Sequence, residues 1–166
     1  INDPRALTAR CAHDLFACQP QRFIRAADHV YQGNADGTFA PWQSFERRNT
    51  DPKFGFGLVI ANFDGEHGND FFVSNDGDFN HYWLSQPVSK VAGDKGAGDR
   101  FEIIEAAVAR GCSVGKGGNS QACMGIASGD FDRNGTLDLH VTNFLNEPAN
   151  LFMQTRSGFF SDEALQ

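Results

Sequence analysis

The residues best suited to chemistry lie in segment 130–138, where oxygen-bearing side chains alternate along a tight turn. Hard cations such as Ca²⁺ prefer about six to eight oxygen ligands, and alternate residues of a turn can direct their oxygens at one centre. The backbone carbonyl of position 7 is a further expected ligand. The pattern therefore predicts a calcium site, with positions 1, 3, 5, 7 and 9 filled by Asp130, Asp132, Asn134, Thr136 and Asp138.

The residues around this loop distinguish it from an EF-hand. Gly135 stands at position 6, where glycine permits a sharp turn. Position 12 carries no glutamate, and the β-prone run Leu-His-Val-Thr-Asn at 139–143 follows in place of a helix. We therefore expect the loop to join two strands. For a single copy of the pattern, an Asx-rich turn that binds no metal remains the alternative.

A second copy of the pattern lies 68 residues earlier in the chain. Segments 57–75 and 125–143 align without a gap and are identical at six of nineteen positions. This repetition supports the metal interpretation over a simple turn. An amide at position 1, a longer acid at position 5 and His67 at position 6 depart from the pattern, so we expect a weaker or differently shaped site. Its candidate ligands are Asn62, Asp64, Glu66, Gly68 and Asp70.

The repeat continues beyond the loops. At the same spacing of 68 residues, segment 82–84 falls on segment 150–152, and both are expected to form a further strand. An incomplete earlier copy at 29–39 is similar to 150–159, with Asp36-Gly37 as a hairpin-turn signal. Internal repetition of a unit with several strands predicts a propeller or a solenoid.

Segment 125–143, the following Asn150-Leu151-Phe152 and the Gly158-Phe159 turn resemble FG-GAP/VCBS repeats, the blades of integrin-alpha-like β-propellers. Among such repeats, the pattern resembles those of the ASPIC/UnbV and cartilage-acidic-protein group. The resemblance covers about residues 29–166. It implies an all-β fold with four antiparallel strands in each blade and a Ca²⁺ loop between the first two. The ligands that it implies are those already named in 130–138.

We predict a single partial β-propeller domain over residues 1–166, with about two and a half blades. The blade-like units are 29–53, which is partial, 54–110 and 111–166, whereas 1–28 has only weak helical spacing and 87–100 is a Gly-, Asp- and Lys-rich loop insertion. Propellers typically have about four to eight blades. The chain is therefore expected to be a piece of a longer protein, and assembly of several copies into a ring is the alternative.

The composition fits a compact β-rich domain. Hydrophobic residues make up 40% of the chain, sixteen of them Phe, and eighteen glycines suit many tight turns. No apolar stretch of about twenty residues is available to span a bilayer. The net charge of −7 argues against nucleic acid as a partner.

The four cysteines form two close pairs in the sequence. Pairing of neighbours, the simplest of the possible connectivities, predicts the disulfides Cys11–Cys18 and Cys112–Cys123. Disulfides persist in oxidising compartments, and calcium loops of a weak class suit extracellular calcium. We therefore expect a secreted, periplasmic or cell-surface protein. Reduced core thiols in a cytosolic protein are the alternative.

Catalytic motifs are weak in this chain. Segment 111–115 matches G-x-S-x-G but lacks the strand-turn-helix context of a nucleophile elbow. We expect a binding or scaffolding module for a protein or glycan; the alternative is the propeller part of a larger polysaccharide-degrading or redox enzyme. The expected contact loops are 75–80, 112–123 and 143–150, and the candidate ligand-binding residues are Asp76, Asp78, Asn80, Trp83 and Asn146.

Overall fold

The computed structural model describes residues 20–66, 68–88 and 101–164. In these ranges the helical elements are a 3-10 turn (Pro20–Arg22) and two four-residue helices, α1 (Gln43–Glu46) and α2 (Ala107–Arg110). None of the helices in these ranges is long and apolar enough to cross a membrane. The strands are β1 (Tyr31–Gly33), β2 (Phe39–Pro41), β3 (Gly55–Ala61), β4 (Asp70–Asp78), β5 (His81–Pro87), β6 (Phe101–Glu105), β7 (Gln121–Gly129), β8 (Asp138–Asn143), β9 (Asn150–Arg156) and β10 (Phe159–Asp162). The prediction of an all-β chain is confirmed.

The N-terminal hairpin forms where the sequence predicts it. Strands β1 and β2 pair antiparallel around a turn in which Asp36 Oδ1 accepts hydrogen bonds from the Thr38 N–H at 3.0 Å and the Thr38 hydroxyl at 2.7 Å. Gly37 has a φ of 83°, which explains the glycine at this position. The weak helical spacing before residue 20 and most of the 87–100 insertion lie outside the described residues.

Eight strands form two four-stranded antiparallel meanders in chain order. The first unit contains β3–β6, and the second unit contains β7–β10. Their first strand pairs have the same register, because Leu58 pairs with Val73 and Ile126 pairs with Val141. Both pairs also have a register shift at the start of the first strand, between positions 55 and 57 and between 123 and 125. The repeat of 68 residues is therefore present in the backbone.

The third strand of each unit departs from that spacing by one residue. His81 pairs with Val73 in the first unit, whereas Asn150 pairs with Val141 in the second. The connection between the second and third strands is therefore one residue longer in the second unit. The alignment of 82–84 with 150–152 is wrong by one position, and 81–83 is the equivalent segment.

Paired residues of neighbouring antiparallel strands point to the same side of a sheet. We call the side that carries Val73 in the first unit, and Val141 in the second, the front face. The opposite side carries Phe72 or His140 and is called the back face. The end of β4 pairs with β7, so the units belong to one curled antiparallel sheet.

The main core forms where the second unit lies over the first. The back face of the first unit contributes Phe72, Tyr82 and Leu84, and the front face of the second contributes side chains including Val141 and Phe152. The rings of Phe72 and Phe152 lie 6.1 Å apart. Burial of these large apolar side chains is the main driving force that joins the units.

A smaller core lies on the front face of the first unit. Val73, Trp83 and Ile103 pack against Phe45 of α1. The rings of Phe45 and Trp83 meet edge-on with centroids 4.8 Å apart. Residues 26–49 thus cover one part of this face.

Candidate metal centre and contact loops

The loop between β7 and β8 gathers three carboxylates. Ligand atoms of Asp130, Asp132 and Asp138 all lie within 4.8 Å of one another. The first two side chains are exposed, whereas Asp138 is fully buried. The spacing that the sequence suggested therefore brings three acidic side chains to one centre.

The turn that carries these side chains is organised by hydrogen bonds from its own backbone. Asp130 accepts from the N–H groups of Asn134 at 2.9 Å and Gly135 at 3.0 Å, and Asp132 accepts from the Asn134 N–H at 3.0 Å. Gly135 has a φ of 87°, as its predicted turn role requires. Arg133 also adopts a left-handed conformation, with a φ of 64°.

Asp138 is anchored on both carboxylate oxygens. Oδ2 accepts from the Phe131 N–H at 2.9 Å, and Oδ1 accepts from the Gln154 N–H at 2.9 Å. Each carboxylate oxygen has two lone-pair sites, so one site on each remains for a cation. Position 9 therefore joins the loop to the third strand and can also supply a metal ligand.

The three carboxylates of this loop lie close together, so their mutual repulsion affects its stability. Within residues 20–66, 68–88 and 101–164, no salt bridge involves Asp130, Asp132 or Asp138. Two like charges about 5 Å apart repel by roughly 1–3 kcal/mol, depending on whether the effective dielectric constant is that of water or of a protein surface. A divalent cation with oxygen ligands would offset this repulsion, and Ca²⁺ suits the donor set.

The loop between β3 and β4 repeats the anchoring but not the acidic cluster. Asp70, at position 9, accepts from the Phe63 N–H, the Ser85 N–H and the Tyr82 hydroxyl at 3.2, 2.9 and 2.9 Å. Burial raises the pKa of Asp70. Burial, followed by the charge of Asp70, raises the pKa of Tyr82 as well. The Asp70 side chain is therefore part of the buried core.

The remaining polar groups of the first loop bond to one another. The Asn62 side chain accepts from the Gly65 N–H at 2.8 Å and donates to the Glu66 carbonyl at 2.7 Å, and Asp64 accepts from the Glu66 N–H at 2.9 Å. Gly65 has a φ of 75° at the position that Arg133 occupies in the second loop, and exposed Gly68 has a φ of 96°. Among the described residues, only the second loop gathers three His, Cys, Asp or Glu side chains in metal-binding proximity.

Gln154 connects the two loops, a role that sequence reasoning missed. Its amide nitrogen donates to the carbonyls of Leu137 at 2.6 Å and Phe63 at 3.0 Å, and its Oε1 accepts from the Gly158 N–H at 2.7 Å. The side chain is buried. The available signal was the alternation of β9, in which Asn150, Phe152 and Gln154 all face the interior.

The cysteine prediction needs correction. Cys112 and Cys123 are free, buried thiols, and the predicted disulfide between them is absent. Each sulfur faces its own polar neighbour, because Cys112 Sγ lies 3.9 Å from the Ala107 carbonyl and Cys123 Sγ lies 3.4 Å from Asn80 Oδ1. Closeness in sequence did not imply that the side chains pair. Cys11 and Cys18 lie outside the described residues.

The predicted contact loops lie at the end of the sheet opposite the acidic loops, because consecutive antiparallel strands place alternate connections at opposite ends. Two of them meet in a cleft of about 290 Å³ that is lined by residues from 115–121 and 147–150, with Asp162 and Ala164. The Lys116 N–H donates to Asp162 at 3.0 Å and Asn150 donates to it at 2.8 Å. Although burial acts in the opposite direction, these hydrogen bonds lower the pKa of Asp162.

The individual ligand-binding candidates differ in accessibility. Trp83 and Asn80 are buried, and the Trp83 indole donates to Asp28 at 2.8 Å, so the indole face is not open to a sugar. Burial raises the pKa of half-buried Asp76, and Glu147 raises it further. Asn146 is exposed, with a φ of 67°.

Asp78 is engaged within the protein. It pairs with Lys53 at 3.1 Å and Arg25 at 2.9 Å. Although burial acts in the opposite direction, the hydrogen bond from Lys53 and the one from the Phe79 N–H lower the pKa of Asp78. Its hydrogen-bonding capacity is therefore largely used internally.

The G-x-S-x-G match does not form a nucleophile elbow. Ser113 is buried, with 6% of its surface exposed. It follows the short helix α2 and precedes β7, which reverses the strand-turn-helix order that the motif requires.

Comparisons of the chain with protein-family models and with curated proteins gave no match.

Proposed function

We propose that this chain is a calcium-stabilised binding module rather than a catalyst, built from FG-GAP/VCBS-like repeats. The observation that carries the proposal is the cluster of Asp130, Asp132 and Asp138 within 4.8 Å. The repeated loop and the two stacked four-stranded units support it. The units resemble consecutive blades, so the proposal includes a β-propeller of which this chain forms about two and a half blades.

The proposed role of Ca²⁺ is structural. Side chains of Asp130, Asp132, Asn134 and Asp138, with the backbone carbonyl of Thr136, would hold the ion. The ion would neutralise the loop and keep β7 and β8 in register. The first loop would bind Ca²⁺ more weakly, because neutral Asn62 stands in the place of Asp130. Among the described residues, the first loop gathers no cluster of three carboxylates.

The proposed ligand is a protein or a glycan that meets the opposite end of the sheet. The cleft between 115–121 and 147–150 supports this placement, since it joins two of the three loops with expected binding roles. Exposed Lys116 and Asn119 line it. A secreted, periplasmic or cell-surface location is part of the proposal. Its support is that calcium loops of a weak class suit the higher calcium concentration outside the cell. The Cys112–Cys123 disulfide, which would have been further support, is absent.

The proposal is tested by thermal melts of the chelator-treated chain with and without Ca²⁺. At a calcium concentration about one hundred times the dissociation constant, binding stabilises the fold by about 2.7 kcal/mol. For a chain of this size we expect a rise in melting temperature of roughly 5–10 °C. Asp132→Ala should abolish the rise.

The matched control is Asp51→Ala, which removes an exposed aspartate outside both loops. It should keep the calcium-dependent rise in melting temperature. A rise that persists in Asp132→Ala would overturn the assignment of the ion to the second loop. Identical melting temperatures of the unsubstituted chain with and without Ca²⁺ would indicate that the acidic loops are turns that bind no metal.

The ligand part has a separate test. A glycan array and a protein pull-down would be performed with the original chain and with Lys116→Ala and Asn119→Ala. Binding that both variants weaken would support the cleft. Turnover of a polysaccharide by the chain would contradict the non-catalytic role.

A further inference from the structure

An apolar row lies exposed on the first strand of the first unit. Phe56, Leu58 and Ile60 are 64%, 58% and 52% exposed. Leu58 pairs with Val73, and Ile60 pairs with Phe71, so the side chains of Leu58 and Ile60 belong to the front face. The described N-terminal residues cover Val73 and Trp83 on this face but leave the row open to solvent.

The second unit shows how an equivalent residue packs when it is covered. Ile126 occupies the place of Leu58 and lies over Gly57, on the back face of the first unit. A Cβ atom added to Gly57 would lie 2.8 Å from Ile126 Cγ2 and 2.6 Å from Ser74 Oγ. Glycine is therefore required there, because it forms with Ser74 a hollow that receives the isoleucine.

The second unit carries the same hollow on its own back face. Gly125 and Thr142 occupy the places of Gly57 and Ser74, and they pair in the same register. Among the described atoms outside its chain neighbours, only Thr142 Oγ1 lies within 4 Å of a Cβ built on Gly125. Thr142 and neighbouring Ala127 are exposed. Within the described residues, the fold thus has an uncovered apolar residue at one end and an unfilled hollow at the other.

We propose that a second copy of this chain docks head to tail, with Leu58 of one copy over Gly125 of the other. The contact repeats the packing of Ile126 over Gly57 that already joins the two units, and so continues an existing interface from one molecule to the next. Half-buried Leu151 and Met153 lie on the same back face and extend the apolar surface. This inference does not depend on calcium binding.

The two surfaces are different, so the contact is heterologous. Such contacts generate rings if the rotation closes and open filaments if it does not. Each copy would use its front face for one neighbour and its back face for another. A dimer that joins identical surfaces, front to front or back to back, is incompatible with this arrangement.

The test is sedimentation velocity of the chain over a series of concentrations, with one variant for each surface. Leu58→Glu places a charge on the front face, and Ala127→Glu places the same charge on the back face. We expect the original chain to associate as its concentration rises, and each variant alone to remain monomeric. Val108→Glu is the matched control, since Val108 is 75% exposed on α2, outside both faces, and this variant should associate normally.

Mixing the two variants distinguishes head-to-tail docking from other association. Leu58→Glu retains an intact back face and Ala127→Glu an intact front face, so an equimolar mixture should form a dimer that grows no further. Monomers at all concentrations of the original chain would overturn the proposal. If Leu58→Glu loses association and Ala127→Glu still associates normally, the proposal would be overturned in favour of a front-to-front dimer.

Folding of each variant would be checked by circular dichroism and a thermal melt. If Ala127→Glu does not fold, Thr142→Arg supplies the second back-face variant, because its side chain would fill the hollow beside Gly125. It should abolish association of the folded chain and still pair with Leu58→Glu in the mixture. A folded Thr142→Arg variant that associates normally would contradict the proposed contact.

Discussion

The backbone N–H of Gln154 donates a 2.9 Å hydrogen bond to Oδ1 of Asp138, which joins the third strand of the second unit to the last residue of its acidic loop. Ser85 and Asp70 make the same contact in the first unit, also at 2.9 Å. The position-9 aspartate therefore has a structural role in both loops, with or without a cation. Among the described residues, only the second loop places two further carboxylates close enough to share a cation with this aspartate.

This shared role predicts that Asp138→Asn lowers stability in the absence of Ca²⁺. An asparagine offers one acceptor oxygen, so one of the N–H groups of Phe131 and Gln154 loses its partner. We expect a loss of about 1–3 kcal/mol in the free energy of unfolding, measured by urea denaturation with a chelator present. The same variant should also lose the calcium-dependent rise in melting temperature.

Asp70→Asn is the matched variant in the first loop. Burial raises the pKa of Asp70, so a neutral amide at this position removes part of the cost of a buried charge. The loss of stability in Asp70→Asn should therefore be smaller than in Asp138→Asn. Asp70→Asn should retain the calcium response of the second loop. Equal loss of the response in both variants would show that the loops bind calcium as one unit, contrary to the proposal.

The buried amide of Gln154 predicts a large effect of Gln154→Leu. Leucine would leave the carbonyls of Phe63 and Leu137 and the N–H of Gly158 without this partner. Because buried polar groups without partners are costly, we expect a loss of about 2–4 kcal/mol in the free energy of unfolding. Gln86→Leu, at a half-buried glutamine with one side-chain contact to Glu102, should cost less than about 1 kcal/mol. Equal losses would contradict the linking role.

The left-handed conformation of Arg133 predicts that glycine stabilises the second loop. A non-glycine residue in this region is strained by about 1–2 kcal/mol, and the greater freedom of glycine in the unfolded chain cancels part of the gain. Arg133→Gly should therefore raise the free energy of unfolding by about 0.5–1 kcal/mol without calcium. Arg133→Ala removes the same charge but keeps the strain, so an equal gain in that variant would assign the effect to charge instead.

The buried thiols predict chemical protection in the folded chain. Burial raises the pKa of Cys112 above its ordinary value and that of Cys123 to about 12, so both remain protonated near neutral pH. In a Cys11→Ser, Cys18→Ser variant, a thiol reagent at pH 8 should label neither residue until urea is added, and then both. Rapid labelling of the folded chain, or failure to label the unfolded chain without reductant, would contradict two free buried thiols.

The sequence was informative where side chains alternate and turns need special residues. Asp36-Gly37 marked a hairpin, and the repeat from Gly57 to Asn75 predicted the strand pairs on either side of each acidic loop. These features depend on neighbouring residues, so a local pattern is enough to identify them. The position of Asp138 within the carboxylate cluster followed in the same way.

Features that depend on contacts between distant segments were missed. The connection before Asn150 is one residue longer than the one before His81, and faint similarity between strands could not reveal that shift. Gln154 contacts Phe63 across 91 positions of sequence. The prediction of a Cys112–Cys123 disulfide was wrong, because the spacing of two cysteines in the sequence does not determine where their side chains point. Trp83 was expected to meet a ligand, but the packing of Phe45 against it buries the ring.

Titration calorimetry on the chelator-stripped chain would measure whether the second acidic loop binds Ca²⁺. We expect saturable binding with one strong site in each chain, and loss of that site in Asp132→Ala but not in Asp64→Ala. Absence of binding heat in the original chain, confirmed by equilibrium dialysis, would contradict the claim, as would a strong site that Asp64→Ala alone removes.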